Sequence, residues 1–377
     1  VGEFFSTLGD GLVNAGLMAY EVWWALVLGF AISAVVQAWV PRERVEAALA
    51  ASGPGPVARA TGLGAASSSC SYAAIAIARS LFAKGASATT ALAFQFASTN
   101  LVWELGLVLW ILIGWQFTLA EFIGGLILIA LMAVSLRLFV SPRLEESARR
   151  HAQQAEPGHE HHHGASSSRP WRERVRSAEA WTEVAENFRA DWLMLWKEIL
   201  AGFLLAGFIG LLGADVFNAL FVSDAPGLVR TLENVIAGPV IAVLSFVCSI
   251  GNVPLAAVLW SGGISFAGVM AFIFADLIVI PIVLAYRKYY GTAFALRITA
   301  LMFAVMVPAA LLVDGMFSLA GLVPSERPSA DDVFGEIAVN YKLFLNLAAL
   351  GVFAALMNLT MRRRRAGAST LSAPAHE

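Results

Sequence analysis

Ser67-Ser68-Ser69-Cys70-Ser71 and its echo Val247-Cys248-Ser249-Ile250-Gly251 decide how this chain is read. Each stretch holds one of only two cysteines, and each interrupts a long apolar region. Sliding the first forward by 178 positions aligns more than the Cys-Ser pair. Gly85 falls on Gly263, Ser87 on Ser265, Ala93-Phe94 on Ala271-Phe272 and Phe96-Ala97 on Phe274-Ala275, without a gap. Apolar matches are common in so hydrophobic a chain, whereas aligned Cys, Gly and Ser are not. The chain reads as a duplicated unit with a break at the same place in each half.

Composition fixes the class. Of 377 residues, 58% are hydrophobic and 14% charged, and mean hydropathy is +0.72. A soluble domain carries about 25% charged residues. Uncharged runs recur, among them residues 22–40, 85–103, 122–136, 234–275, 298–313 and 343–361. A spanning helix needs about 20 apolar residues. The expected fold is therefore an all-α polytopic membrane protein with about 8 spanning segments. A net charge of −2 says nothing about nucleic acid, and none is expected as a partner. Two cysteines in apolar settings argue against a disulfide framework. No cleavable signal is evident ahead of Pro41-Arg42-Glu43-Arg44.

The chain divides into a first membrane repeat (1–140), a cytoplasmic Arg-, Glu- and His-rich linker (141–190) and a second membrane repeat (191–318). An extracytoplasmic loop with a final span (319–361) and a cytoplasmic basic tail (362–377) follow. Residues up to Gly16 read as an interfacial segment, and the first span as 17–40. Gly53-Pro54-Gly55-Pro56 reads as a break. The run 234–275 would be about 60 Å long as a helix, twice a hydrocarbon core of about 30 Å. It must fold back, at Ser261-Gly262-Gly263, as the first half does at Lys84-Gly85-Ala86-Ser87.

Lys and Arg near span ends mark the cytoplasmic side. That rule places Arg42 and Arg44, the linker, Arg287-Lys288 and the tail inside, and the acidic loop 319–339 outside. These assignments agree only if 62–96 and 235–274 are re-entrant hairpins entering from opposite sides. The result is two inverted repeats, each with a broken element near the midplane, where transporter sites are built. Arg79 then falls near the first tip and needs a water-filled cavity or a partner such as Glu104. The multi-pass chain is expected in the plasma membrane.

Cys-Ser, an apolar helix and Lys-Gly-Ala-Ser (Cys70, Ser71, residues 84–87), with Cys-Ser-x-Gly-x-x-Pro (Cys248, Ser249, Gly251, Pro254), resemble the predicted-permease family. Its members include YraQ-type proteins and the ArsP organoarsenical efflux permeases. The resemblance covers both membrane halves and implies transport, with efflux as its direction. In the family pattern the first unit reads Cys-Ser-Cys-Gly with a Pro soon after. Here Tyr72, Ala73 and Ala76 stand at those places, so one thiolate is missing and the family's substrate does not carry over.

Cys70 and Cys248 at facing breaks would offer two soft sulfurs to a metalloid, copper(I) or a sulfur compound. The bland alternative is that both are small residues allowing close helix approach. Ser69, Ser71, Ser249, Asn252 and Asn100, with backbone amides at helix N-termini, would hold a small anion equally well. Glu104 and Asp276 are candidate proton carriers, against roles in pairing or capping. Gln95 is either a path residue or interhelical glue. His159, His161, His162 and His163 have metal-ligand character in a solvated linker.

These features describe a secondary permease, an efflux transporter for a small thiophilic or anionic solute. The alternative is a divalent-metal or copper transporter regulated by the His-rich linker. An intramembrane enzyme with a Cys nucleophile lacks a base, because all six histidines lie in the linker or tail. No catalytic residue and no cofactor is expected. The partners are a small solute or metalloid and membrane lipid, with homodimerisation left open.

Overall fold

A computed structural model describes residues 2–39, 53–67, 71–154, 177–211, 227–245, 249–327 and 341–371. Cys70, Ser69, Cys248 and His159, His161, His162 and His163 lie outside them. Among the described residues every regular element is helical. Seven helical segments are long and apolar enough to cross a membrane, and Ile199–Ile209 and Ser249–Ser261 are shorter apolar helices. The protein is an all-α polytopic membrane protein. Its outward faces carry Leu126, Leu138, Leu284, Leu312 and Leu347, as lipid contact requires.

In chain order, α1 is Gly2–Trp39, α2 Pro54–Ser67, α3 Ser71–Ala83, α4 Ala88–Asn100, α5 Trp103–Leu112, α6 Trp115–Phe139 and α7 Pro142–Gln154. The second half has α8 Ala178–Ile209, α9 Gly227–Ser245, α10 Ser249–Ser261, α11 Phe266–Phe274 with a 3-10 turn Ala275–Ile278, α12 Ile280–Tyr290 and α13 Thr292–Leu319. The last helix, α14, is Tyr341–Leu371. Shifting α3 by the repeat offset gives the bounds of α10, and shifting α4 gives α11 with its 3-10 turn.

Two sequence expectations change here. The first 16 residues are not a separate interfacial segment, because α1 is one continuous helix. Gly53-Pro54-Gly55-Pro56 starts a helix: Pro54 is the first residue of α2, where its missing N–H costs nothing.

The hairpin turns fall where expected, built from the same parts. Gly85 and Gly263 adopt φ of 109° and 108°, backbone that a side chain resists. Ser87 and Ser265 then cap the returning helices, accepting hydrogen bonds from Thr90 N and Gly268 N. An arginine clamps each turn. Arg149 donates to the carbonyl oxygens of Phe82 and Ala86 and lies 4.4 Å above the Phe82 ring centroid. Arg327 donates to those of Trp260 and Ile264, at 2.7 and 2.8 Å, and lies 4.0 Å above the Trp260 ring centroid. Every one of these positions is related by the repeat offset. Burial and nearby Arg230 lower the Arg327 guanidinium to about 10, which leaves it cationic at neutral pH.

The turns are not the deep points. Arg230 at the start of α9 bonds to Gly263 O, Asn234 Oδ1 accepts from Ser265 N, and Gly238 meets Gly268 and Phe272. Successive positions on α9 thus meet successive positions on α11, so the two run parallel. Helix α10 runs opposite to both, so direction reverses a second time from the end of α9 to the start of α10, where Ser245 Oγ bonds to Asn252 Oδ1. Thirteen residues of α10 span about 20 Å, which takes that second reversal well into a core of about 30 Å. Gly64 of α2 lies against Phe94 and Ala97 of α4 in the corresponding packing.

The two turns lie at opposite ends of the bundle. His151 of α7 meets Lys288 O at the end of α12, so α7, the first turn and that end lie together. The segment Phe266–Tyr290, 25 residues long, leads there from the second turn. Phe117 at the start of α6 packs on Trp260, and Phe294 at the start of α13 stacks on Phe82. The halves therefore run through the bundle in opposite directions.

Helices α1 and α8 flank this core, and α14 is tied to α1. Lys342 bonds to Glu21, and Asn346 accepts from Trp24 N at 3.0 Å and donates to Tyr20 O at 2.9 Å.

Candidate functional site at the paired breaks

Ser71 opens α3 and Ser249 opens α10, each beside a reversal. Their hydroxyl oxygens lie 3.5 Å apart, both buried. Two helix N-termini therefore face one another in the interior, and their partial positive ends sum at one place. Ser249 Oγ donates a hydrogen bond to Asp276 Oδ2. Asp276 belongs to the 3-10 turn, where the crossing helix of the second half loosens. Thr99 of α4 lies near the Asp276 carboxylate. At the equivalent level of the first half, α4 ends at Asn100 before α5 begins at Trp103.

More polar groups gather around this core. Thr99 Oγ1 donates to Asn100 Oδ1 at 3.2 Å, and Ser245 Oγ donates to Asn252 Oδ1 at 3.3 Å. Gln95 Nε2 donates to Tyr286 OH at 2.5 Å, which places Gln95 as interhelical glue as well as lining. The side-chain amide nitrogens of Asn100 and Asn252 and one oxygen each of Asp276 and Gln95 are buried with no hydrogen-bond partner among the described residues. Buried polar groups are almost always paired, so unused donors and acceptors around two helix ends make this region the candidate site.

Of the residues singled out in the sequence, Ser71, Ser249, Asn252, Asn100 and Asp276 fall in this region. Glu104 stands elsewhere. It lies in the first turn of α5 against Gly29 of α1, with Asp191 of α8 as its charged neighbour. The expected pairing of Arg79 with Glu104 is replaced by other contacts: Arg79 bonds to Ala152 O of α7 at 3.3 Å and lies over the Tyr289 ring. The physical reason is depth. Because α3 starts at the deep reversal, Arg79 eight residues on is carried toward the α7 end. No group of three or more His, Cys, Asp or Glu is gathered among the described residues to hold a metal.

Two residues here had not been singled out, Tyr286 and Glu121. Glu121 is fully buried in α6, an electrostatic neighbour of Asp276. Its signal in the sequence was slight: it is the one charge dividing the uncharged runs 105–120 and 122–136.

A family model described as predicted permease matches residues 14–315, which takes in both halves and both reversals. The chain belongs to the predicted-permease family. Rv2963, a Mycobacterium tuberculosis protein whose name assigns it as a permease, is 47% identical over 304 residues, covering 79% of this chain and 74% of its own length. No solved structure matches the chain. This predicted-permease family member is a membrane transporter, and the facing reversals are its candidate solute site.

Proposed function

We propose that the protein is a secondary efflux permease of the plasma membrane for a small thiophilic or anionic solute. The solute binds between the two Cys-Ser breaks. The carrying observation is the 3.5 Å approach of Ser71 and Ser249 with Asp276 bonded to Ser249. Two converging N-termini favour an anionic group, and the cysteines that precede the serines would add soft ligands for a metalloid such as an organoarsenical or for a sulfur compound. Asp276 and the anionic group of the solute compete for the same hydroxyl. Proton uptake by Asp276 releases Ser249 to the solute, so that solute and proton movements are coupled. Glu104 is the second candidate on the proton route. The α7 end, with Arg137, Arg287 and Lys288, is the cytoplasmic one.

The test is ligand-dependent thermal stabilisation of the purified protein, with methylarsenite, copper(I), zinc, thiosulfate and sulfite. Wild type is compared with a Cys70→Ser, Cys248→Ser double variant and with Ser249→Ala. A ligand that stabilises wild type and the double variant equally, but not Ser249→Ala, supports an anion site without sulfur ligation. One that stabilises wild type alone supports the thiophilic solute. Equal stabilisation of all three proteins would remove the site from the reversals.

A further inference from the structure

The corner where α12 hands over to α13 is built like the one where α5 hands over to α6. Gly291 and Gly114 adopt φ of 81° and 107° there, and neither offers a side-chain oxygen to the first-turn amides of the helix it caps. Three residues on, Phe294 and Phe117 pack against the equivalent rings of Phe82 and Trp260. The register of this part of the repeat is one residue shorter than that of the hairpins. Trp110 therefore answers to Arg287, Ile111 to Lys288 and Trp115 to Thr292.

Trp110 and Trp115 are 59% and 43% exposed. Exposed tryptophans at the ends of spanning helices mark the depth of the lipid headgroups. The sister corner, at the opposite end of the bundle, lies by the same symmetry among the headgroups of the other leaflet. In place of the indoles it presents Arg287, Lys288 and Thr292, all exposed. The scaffold does not need these cations, because the first corner is built without any.

Arg287, Lys288 and Thr292 line an open cleft of about 390 Å3 together with Leu284, Gly291 and His151 of α7. His151 closes one side. Its Nε2 lies 3.1 Å from Lys288 O, and a Cβ on Gly291 would stand 3.6 Å from its ring. Among the described residues no carboxylate pairs with Arg287 or Lys288. The dipole of α12 accounts for two cations at its end. It does not account for a cleft in which they meet a hydroxyl and the uncapped start of α13. One turn deeper the lining changes to Leu284, 56% exposed and on the lipid side. Cations above an apolar wall suit a ligand with a phosphate at one end and a hydrocarbon chain at the other.

We propose that this cleft binds the headgroup of an anionic phospholipid. Arg287, Lys288 and the first turn of α13 hold the phosphate, and an acyl chain runs down over Leu284. The bound lipid joins α7 of the first half to α12 and α13 of the second. The site goes beyond the transport reading and involves no solute.

The test is thermal unfolding of the full chain in dodecyl maltoside without solute. Dioleoyl phosphatidylglycerol is titrated against dioleoyl phosphatidylcholine, glycerol phosphate and inorganic phosphate. A ligand that binds only the folded state raises the midpoint by mass action. Saturable stabilisation by phosphatidylglycerol alone is expected. Arg287→Gln with Lys288→Gln should raise its half-saturating concentration roughly tenfold or more. Thr292→Trp, which fills the cleft as the first corner is filled and leaves every charge, should weaken it similarly. A control pair on α7 outside the lining, Arg143→Gln with Arg150→Gln, should change it less than about threefold. Equal stabilisation by phosphatidylcholine overturns the proposal, as does equal weakening by the cleft and control pairs. Stabilisation by inorganic phosphate or glycerol phosphate at the concentration that suffices for phosphatidylglycerol overturns the lipid as occupant. Failure of every candidate solute at the paired breaks leaves these outcomes unchanged, so the two readings stand or fall separately.

Discussion

The hydroxyl oxygens of Ser71 and Ser249 lie 3.5 Å apart although the residues are 178 positions apart, and each is the first residue of its helix. Equivalent atoms of the two halves therefore meet across the centre of the repeat. The equivalence stops at the next bond, because Ser249 alone donates to Asp276. Ser249→Ala should leave a buried carboxylate oxygen unpaired, a cost of about 1–3 kcal/mol. Uptake into proteoliposomes should fall roughly tenfold or more. Ser71→Ala removes only a long contact and should cost under about 1 kcal/mol. Equal losses for the two variants would contradict the asymmetric role of Asp276.

Each arginine clamp joins two carbonyl oxygens at a turn and covers an aromatic ring. Arg149→Ala and Arg327→Ala should each destabilise the protein by about 2–4 kcal/mol, seen as a lower unfolding midpoint in detergent. Lysine should restore less than half of it, because a single ammonium cannot present the planar fork to both carbonyls while stacking.

Two glycine substitutions should behave oppositely. A Cβ on Gly202 would collide with the Gly251 backbone just beyond the second reversal, whereas one on Gly315 meets nothing within 4 Å. Gly202→Ala should therefore part α8 from α10 and abolish transport, with a loss of about 1–3 kcal/mol. Gly315→Ala should stabilise by about 0.5–1 kcal/mol through helix propensity alone. Solute flux and unfolding midpoints measured on both variants check the contrast.

The turns at Gly85 and Gly263 were legible because an unusual backbone angle and a capping hydroxyl each demand a particular residue. Both demands recur at one spacing. The second reversal was not placed as a helix-to-helix turn, because its small residues give no equally specific signal, and that error misplaced Arg79. The equivalence of Arg149 and Arg327 escaped notice for another reason. Arg149 stands in a charged segment read as linker, and only its contact with Phe82 and Ala86 distinguishes it from its neighbours. Glu121 was passed over because a lone charge between apolar runs also suits a span boundary. Its burial could be learned only from the packing of Gly124 and Gly125.

The placement of Arg149 and Arg327 also bears on origin. Each lies beyond the last long helix of its half, so the module that was copied ran past the membrane into what is now linker and loop. Such a module already owns its reversal, turn and clamp, and lacks only a counterpart facing the other way. A half-length ancestor could have found that counterpart in an identical chain inserted upside down. Fusion would have fixed the two orientations within one chain, and a difference such as Asp276 against Ser98 is one that only a fused chain could confine to one side of the axis.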